Sequence, residues 1–99
     1  MSYGHARVPT PLAGKCQSVA SGARTTNPVG DQTRKILVAA TDGMHYVLGN
    51  GSVTAATSDT YISPGSEHMV RISPGQHVAA IDAATGGGGA TLYVSELAE

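Results

Sequence analysis

The chain of 99 residues contains no phenylalanine and no tryptophan, and only 4% of its residues are aromatic. Charged residues make up 13% of the chain, with six Lys and Arg against seven Asp and Glu. Proteins that bind nucleic acid usually concentrate basic residues in a patch, so we expect no nucleic-acid partner. No apolar run reaches the roughly 18 residues of a membrane span, so we expect no membrane partner.

Cysteine is nearly absent as well. The single Cys16 excludes an intramolecular disulfide, and we interpret it as a small, inert strand residue rather than as a reactive thiol. The first 15 residues contain no apolar segment of the kind found in secretory signal peptides. We therefore expect the chain to remain in the cytoplasm in which it is made.

The chain has few large apolar side chains. The apolar fraction is 40%, but much of it is alanine, and Leu, Ile and Val together number eighteen. Burial of so few large side chains offsets the conformational entropy of the folded chain only narrowly. We expect the domain to gain stability by binding copies of itself or another protein.

The first third of the chain differs from the rest in composition. Residues 1–32 hold three of the five prolines and many small residues, which predicts an extended N-terminal arm with one short edge strand at Lys15–Ser21. Such an arm is either disordered in isolation or ordered on a neighbouring subunit. Aromatic, arginine and apolar side chains commonly anchor interfaces. The candidate partner-binding residues of the arm are Tyr3, Arg7, Pro9 and Leu12.

Residues 33–99 show short apolar runs separated by turn residues, and no segment has a helical period over ten residues. The alternation of apolar and polar residues predicts strands at Arg34–Ala40, Met44–Gly49, Glu67–Ile72, His77–Asp82 and Thr91–Leu97. The predicted fold class is all-β. We expect a small antiparallel β-sandwich or jelly-roll-like barrel of about seven strands at residues 33–99, preceded by the arm.

The tetrapeptide Ile-Ser-Pro-Gly occurs twice, at Ile62–Gly65 and at Ile72–Gly75. Proline presets φ at the second position of a β-turn, and glycine accepts the positive φ that a type II turn requires next. Each copy therefore predicts a reversal of the chain. With one strand length between the two copies, the repeat predicts a β-meander.

No catalytic or cofactor-binding motif is present. The glycine run "TGGGGAT" lacks the Lys-Ser/Thr pair and helix of a phosphate-binding loop, and no serine lies in Gly-x-Ser-x-Gly. The histidines lack the spacing of zinc sites and the His-x-His pair of cupins. A metal site assembled across strands from His45, His68 and His77 remains an alternative. We predict no catalytic residues, no cofactor, no bound metal and no enzymatic activity.

Three segments of the chain carry a resemblance to a known group of proteins. They are "TAATSDTYISPG" (Thr54–Gly65), "VRISPGQHVAAI" (Val70–Ile81) and "TLYVSEL" (Thr91–Leu97). In their turns and strand endings they resemble small proteins encoded among the virion structural genes of tailed bacteriophages. The resemblance covers about two-thirds of the chain, from Ile36 to Leu97, and it does not extend to the N-terminal third.

The resemblance implies a structural protein of the virion, which is assembled in the host cytoplasm. Its expected role is capsid decoration, in which a cement protein binds the major capsid protein or other virion proteins and strengthens the shell. The resemblance also implies homo-oligomers, a trimer among them by analogy with jelly-roll decoration proteins. The alternatives are a head–tail joining, tail or fibre-base protein of the virion and, separately, a cupin-like metal-binding barrel.

Overall fold

The computed structural model describes residues 10–83 and 89–98, and in them the chain forms β-strands and no helix. No described segment could cross a membrane as a helix. The strands are β1 (Thr10–Ala20), β2 (Ala23–Arg24), β3 (Lys35–Ala40), β4 (Met44–Gly49), β5 (Thr60–Ile62), β6 (Glu67–Arg71), β7 (His77–Asp82) and β8 (Thr91–Ala98).

The eight strands form two four-stranded antiparallel sheets. Sheet 1 has the order β1-β8-β3-β6, and sheet 2 has the order β2-β7-β4-β5. Strand β1 therefore pairs with β8, β2 with β7, β3 with β6, and β4 with β5. This nested pairing is that of a hairpin rolled up on itself, the topology of an eight-stranded jelly roll. The predicted all-β antiparallel sandwich is confirmed.

The core lies between the sheets and follows the two-residue period of the strands. The clearest case is β3, in which every second residue points inward and is buried, whereas both residues of β2 are exposed. The core residues from sheet 1 include Val19, Ile36, Val38, Leu92 and Val94, and those from sheet 2 include Met44, Tyr46, Ile62, Val78 and Ala80. Tyr46 supplies the only aromatic ring in the described core. The alternation that the sequence predicts for β3, β4, β6 and β8 is the one observed.

The two Ser-Pro-Gly sequences form type II turns, as predicted. The N–H of Ser66 donates to the Ser63 carbonyl oxygen at 3.0 Å, and Gly65 has a φ of 72°. In the second copy, the N–H of Gln76 donates to the Ser73 carbonyl oxygen at 3.2 Å, and the φ of Gly75 is 85°. Both glycines thus occupy the left-handed region that other residues avoid.

The predicted meander is wrong. Strands β5 and β7 belong to sheet 2, whereas β6 between them belongs to sheet 1. Each Ser-Pro-Gly turn therefore carries the chain from one sheet to the other. Two-residue hairpins favour type I′ and II′ turns, whereas a type II turn splays the flanking strands. The type II turns therefore suit a corner between the sheets better than a hairpin. The repeat marks two corners of the jelly roll.

Replacing Gly75 by alanine is expected to destabilise the fold by about 1–2 kcal/mol, because a Cβ atom is strained at a positive φ. The same change at Gly51 is the matched control. Gly51 has no positive φ, and its added Cβ would lie 3.7 Å from Nε2 of His77, an ordinary contact. Urea unfolding of the two variants measures the difference. Equal stability of both would contradict the assignment of the corner turn.

The N-terminal third contributes to both sheets from residue 10 onward. Strand β1 is an edge strand, as predicted, but it spans Thr10–Ala20 rather than Lys15–Ser21. Backbone hydrogen bonds continue beyond it, from the Thr25 N–H to Val78 at 2.8 Å and from the Val29 N–H to Gln76 at 2.9 Å. Residues 10–32 thus pack on the sandwich through backbone hydrogen bonds and through the buried side chains of Val19 and Val29, which their small and proline-rich composition does not predict.

Candidate interaction surface

The side of sheet 1 that faces away from the core carries few charges and several apolar groups. Strand alternation and the antiparallel register place residues from all four strands on it. We call this surface the outer face, and its residues are Cys16 and Ser18 of β1, Tyr93 and Ser95 of β8, Lys35, Leu37 and Ala39 of β3, and Glu67, Met69 and Arg71 of β6.

Two large apolar side chains on the outer face are exposed. Met69 is 57% exposed and Tyr93 is 45% exposed. Tyr93 lies directly opposite Ser18 on one side and Ala39 on the other. Because both neighbours are small, the tyrosine ring projects above the surface around it. Its outward direction follows from the burial of Leu92 and Val94, which take the inward positions of β8.

The charges of the outer face lie at its ends. Glu67 is in register with Ala39, in the same row as Tyr93, while Arg71 and Lys35 lie opposite each other at the far end. Between them, the row through Met69, Leu37 and Ser95 contains no charge. A surface with an uncharged centre, an exposed aromatic ring and charges at its rim has the composition of a protein interface.

The histidines are held apart rather than clustered. His68 points into the core from β6, whereas His45 and His77 lie on the outward side of sheet 2. His77 lies opposite Gly49, four residues along β4 from His45, a separation of about 13 Å. The described residues contain no group of three or more His, Cys, Asp or Glu that could hold a metal ion, and no pocket. The geometry therefore offers the cupin-like alternative no site.

Each of these histidines also has its own hydrogen bond. Nδ1 of His45 lies 3.0 Å from the Asp59 carbonyl oxygen, and its ring packs against Tyr61 at 5.4 Å between centroids. Nδ1 of His77 lies 2.8 Å from the Thr25 carbonyl oxygen. These contacts tie loops to strands, which is a structural role.

The third histidine links the two sheets. A hydrogen bond of 2.9 Å joins Nδ1 of His68 in sheet 1 to the hydroxyl of Tyr46 in sheet 2. Burial raises the pKa of Tyr46 above its usual value of 10.0. The phenol therefore stays protonated over the whole neutral range, and the bond between the sheets does not depend on its ionisation.

Of the predicted arm residues, Tyr3, Arg7 and Pro9 lie outside the described residues. Leu12 lies in β1 and is 37% exposed. It falls in an irregular part of the strand between Pro11 and Cys16, where the register with β8 shifts. The interface role of these four residues stays a prediction.

Sequence reasoning missed one buried charged residue, Glu96. It is only 4% exposed, and one carboxylate oxygen accepts a hydrogen bond from Thr33 Oγ1 at 2.5 Å and another from the Gly30 N–H at 3.1 Å. These bonds fix the loop before β3 to β8. Continuing the alternation of Leu92 and Val94 by one step would have placed Glu96 inward.

Comparisons with known proteins found no significant match to this chain, neither among models of protein families nor among curated proteins or solved structures. What the outer face does is therefore inferred from its geometry and from the resemblance in sequence.

Proposed function

We propose that the protein is a capsid decoration protein of a tailed bacteriophage, and that its outer face binds the major capsid protein. The observation that carries the proposal is the exposure of Met69 and Tyr93 on an outer face whose middle row is uncharged, on a jelly roll whose described part has no pocket and no metal cluster. The choice of the major capsid protein as the partner rests on the resemblance of Ile36–Leu97 to phage virion proteins. The proposed role of the domain is mechanical and involves no catalysis.

The shape of the outer face suits such a role. A four-stranded sheet offers a broad, rigid platform, and its small residues, such as Ser18 and Ala39, let a partner approach closely around Tyr93. Exposed aromatic side chains supply much of the binding energy in protein interfaces. Tyr93 is accordingly the residue that we expect to anchor the contact.

Repetition makes modest contacts sufficient. A decoration protein occupies many equivalent positions on a shell, and links between neighbouring subunits form at high effective concentration. Each copy then needs only a small interface to resist outward pressure on the shell. A thin core is tolerable in this setting, because binding to the shell stabilises the folded state by mass action.

The copy number in purified particles tests the proposal. Quantitative mass spectrometry of virions that contain this chain is expected to find it in numbers comparable to those of the major capsid protein. About a dozen copies or fewer would contradict capsid decoration and support the head–tail joining, tail or fibre-base alternative. One tightly bound transition metal per chain in the natively purified protein would instead support the metal-binding barrel.

A further inference from the structure

The four edge strands of the sandwich are not equally protected against pairing with another chain. In sheet 2 the edges are β2, with two residues, and β5, with three. In sheet 1, β1 contains Pro11 and a register shift. Shortness, proline, irregular register and edge charges are the usual ways in which natural sheets prevent edge pairing. The remaining edge, β6, has only the last of these, and its two charges, Glu67 and Arg71, are opposite in sign.

Strand β6 is regular over its whole length. Its five residues, Glu67–Arg71, pair with β3 in unbroken register from Lys35 opposite Arg71 to Ala39 opposite Glu67. Met69 at its centre is the most exposed large hydrophobic side chain of the described residues, at 57%. A regular, proline-free edge with an exposed apolar centre is a site at which another strand can be added.

The hydrogen bonds at the two ends of β6 fix which backbone groups face outward. The Ile72 N–H donates to the Arg34 carbonyl oxygen at 2.9 Å, and the Ala40 N–H donates to the Ser66 carbonyl oxygen at 3.3 Å. In an antiparallel pair, hydrogen-bonded residues alternate along the strand. The even-numbered residues of β6 therefore bond to β3. The N–H and C=O groups of Glu67, Met69 and Arg71 point to the open edge.

The same three residues form a self-complementary pattern. Glu67, Met69 and Arg71 carry a negative, an apolar and a positive side chain at equal spacing, and all three are exposed. A two-fold axis at Met69 brings Glu67 opposite Arg71 of a second copy, and Met69 opposite itself. In that register every outward N–H meets an outward C=O, because the facing residues all belong to the odd-numbered set.

We propose that β6 pairs antiparallel with β6 of a second copy about a two-fold axis at Met69, which joins the two copies of sheet 1 into one eight-stranded sheet. Two reciprocal Glu67–Arg71 pairs then flank two adjacent Met69 side chains on the outer face. Shifting the register by two residues sets Met69 opposite Glu67 or Arg71 and loses both opposite-charge pairs. A shift by four residues sets Glu67 opposite Glu67 or Arg71 opposite Arg71. Like charges directly opposite destabilise a sheet, so the pattern selects the one register.

Charge exchange tests the pairing. Sedimentation equilibrium of the isolated chain, from micromolar to millimolar concentration, is expected to show a dimer of two 10.0 kDa chains. Glu67→Arg places like charges opposite each other twice, as does Arg71→Glu, and each is expected to weaken the dimer at least about tenfold. The double variant E67R/R71E recreates both opposite-charge pairs with reversed orientation. It is expected to restore the dimer to within about threefold of the original.

A second test acts on the backbone. Met69→Pro removes an N–H that faces the open edge, and the hydrogen bonds between β6 and β3 remain because they use the even-numbered residues. We expect M69P to stay folded by circular dichroism and to sediment as a monomer. Met69→Ala keeps the N–H and is the matched control. It is expected to retain a measurable dimer.

Three results would overturn the proposal. The first is a chain that sediments as a monomer up to millimolar concentration. The second is a dimer that forms equally well with E67R and with M69P. The third is a dimer that is lost with Tyr93→Ser but kept with E67R, which would place the contact between copies on the centre of the outer face. The first two results leave the proposal on capsid binding unaffected, whereas the third would mean that a second copy covers the surface around Tyr93.

Discussion

Replacing Tyr93 by serine is expected to weaken binding to capsids at least about thirtyfold while leaving the fold intact. The ring is 45% exposed and stands between two small neighbours, so its removal takes away contact area without opening a cavity. Truncating an aromatic hot spot of an interface costs about 2 kcal/mol or more, which corresponds to that factor. Binding of the purified variant to capsids stripped of the protein, followed by co-sedimentation, measures the effect.

Tyr61→Ser is the matched control for this experiment. Tyr61 is exposed to a similar extent, 48%, but it lies on the outward side of sheet 2. The Tyr61→Ser variant is expected to bind capsids with an affinity within about twofold of that of the original chain. If Tyr61→Ser releases the protein and Tyr93→Ser does not, the capsid contact lies on sheet 2 and the outer face is not the docking surface.

Deletion of residues 1–9 tests whether the predicted N-terminal arm or the outer face makes the main contact with the capsid. The deletion removes Tyr3, Arg7 and Pro9 and leaves β1, which begins at Thr10. If the arm provides the main contact, the shortened chain no longer binds the capsid. If the outer face does, the shortened chain still binds, and Tyr93→Ser abolishes what remains.

Replacing Leu92 by alanine is expected to lower the free energy of unfolding by about 2–5 kcal/mol, the usual cost of truncating a buried leucine. Leu92 is fully buried and lies between Val19 of β1 and Ala40 of β3. Its neighbours are too small to fill the space that the leucine leaves. Small domains are stable by only about 5–15 kcal/mol in total, so this single change removes a large share of the stability.

Leu37→Ala in the same sheet is the matched control for the core variant. Leu37 lies on the outer face and is only partly buried, so its truncation is expected to cost less than half as much. Thermal unfolding distinguishes the two variants, because a loss of 2 kcal/mol lowers the Tm of a domain of this size by at least about 8 °C. Equal losses at Leu92 and Leu37 would mean that the outer face is covered in the isolated protein.

The longer strands could be predicted because they carry a two-residue period between recognisable turns. The predicted Met44–Gly49 and His77–Asp82 match β4 and β7, and the predicted bounds of β3, β6 and β8 differ from the observed ones by one residue. The two short strands were not predicted. With two and three residues, β2 and β5 are too short to show any period, and they are strands because β7 and β4 offer them backbone partners.

The candidate surface could be predicted only in parts. The outward direction of Met69 and Tyr93 follows from alternation within each strand, but their presence on one face depends on the pairing of β8 and β6 with β3. That pairing is long-range, and no local pattern encodes it. The meander failed in part for the same reason, since β6 pairs with the distant β3, but the type II turns were a local sign against hairpins. Glu96 could have been placed inward by alternation, whereas its partners Thr33 and Gly30 depend on a loop path that only the folded chain defines.

The place of β8 in sheet 1 has a consequence for synthesis on the ribosome. This strand is the last of the eight described strands, yet it lies between β1 and β3. Until Thr91–Ala98 has emerged, β1 has no partner in its sheet and β3 has only β6. Strand β1 must therefore remain without a partner in its sheet while β2 to β7 are synthesised. Topologies dominated by such late, distant pairings fold slowly and expose nascent chains to aggregation, so we expect the yield of native protein to depend on chaperones and on growth temperature.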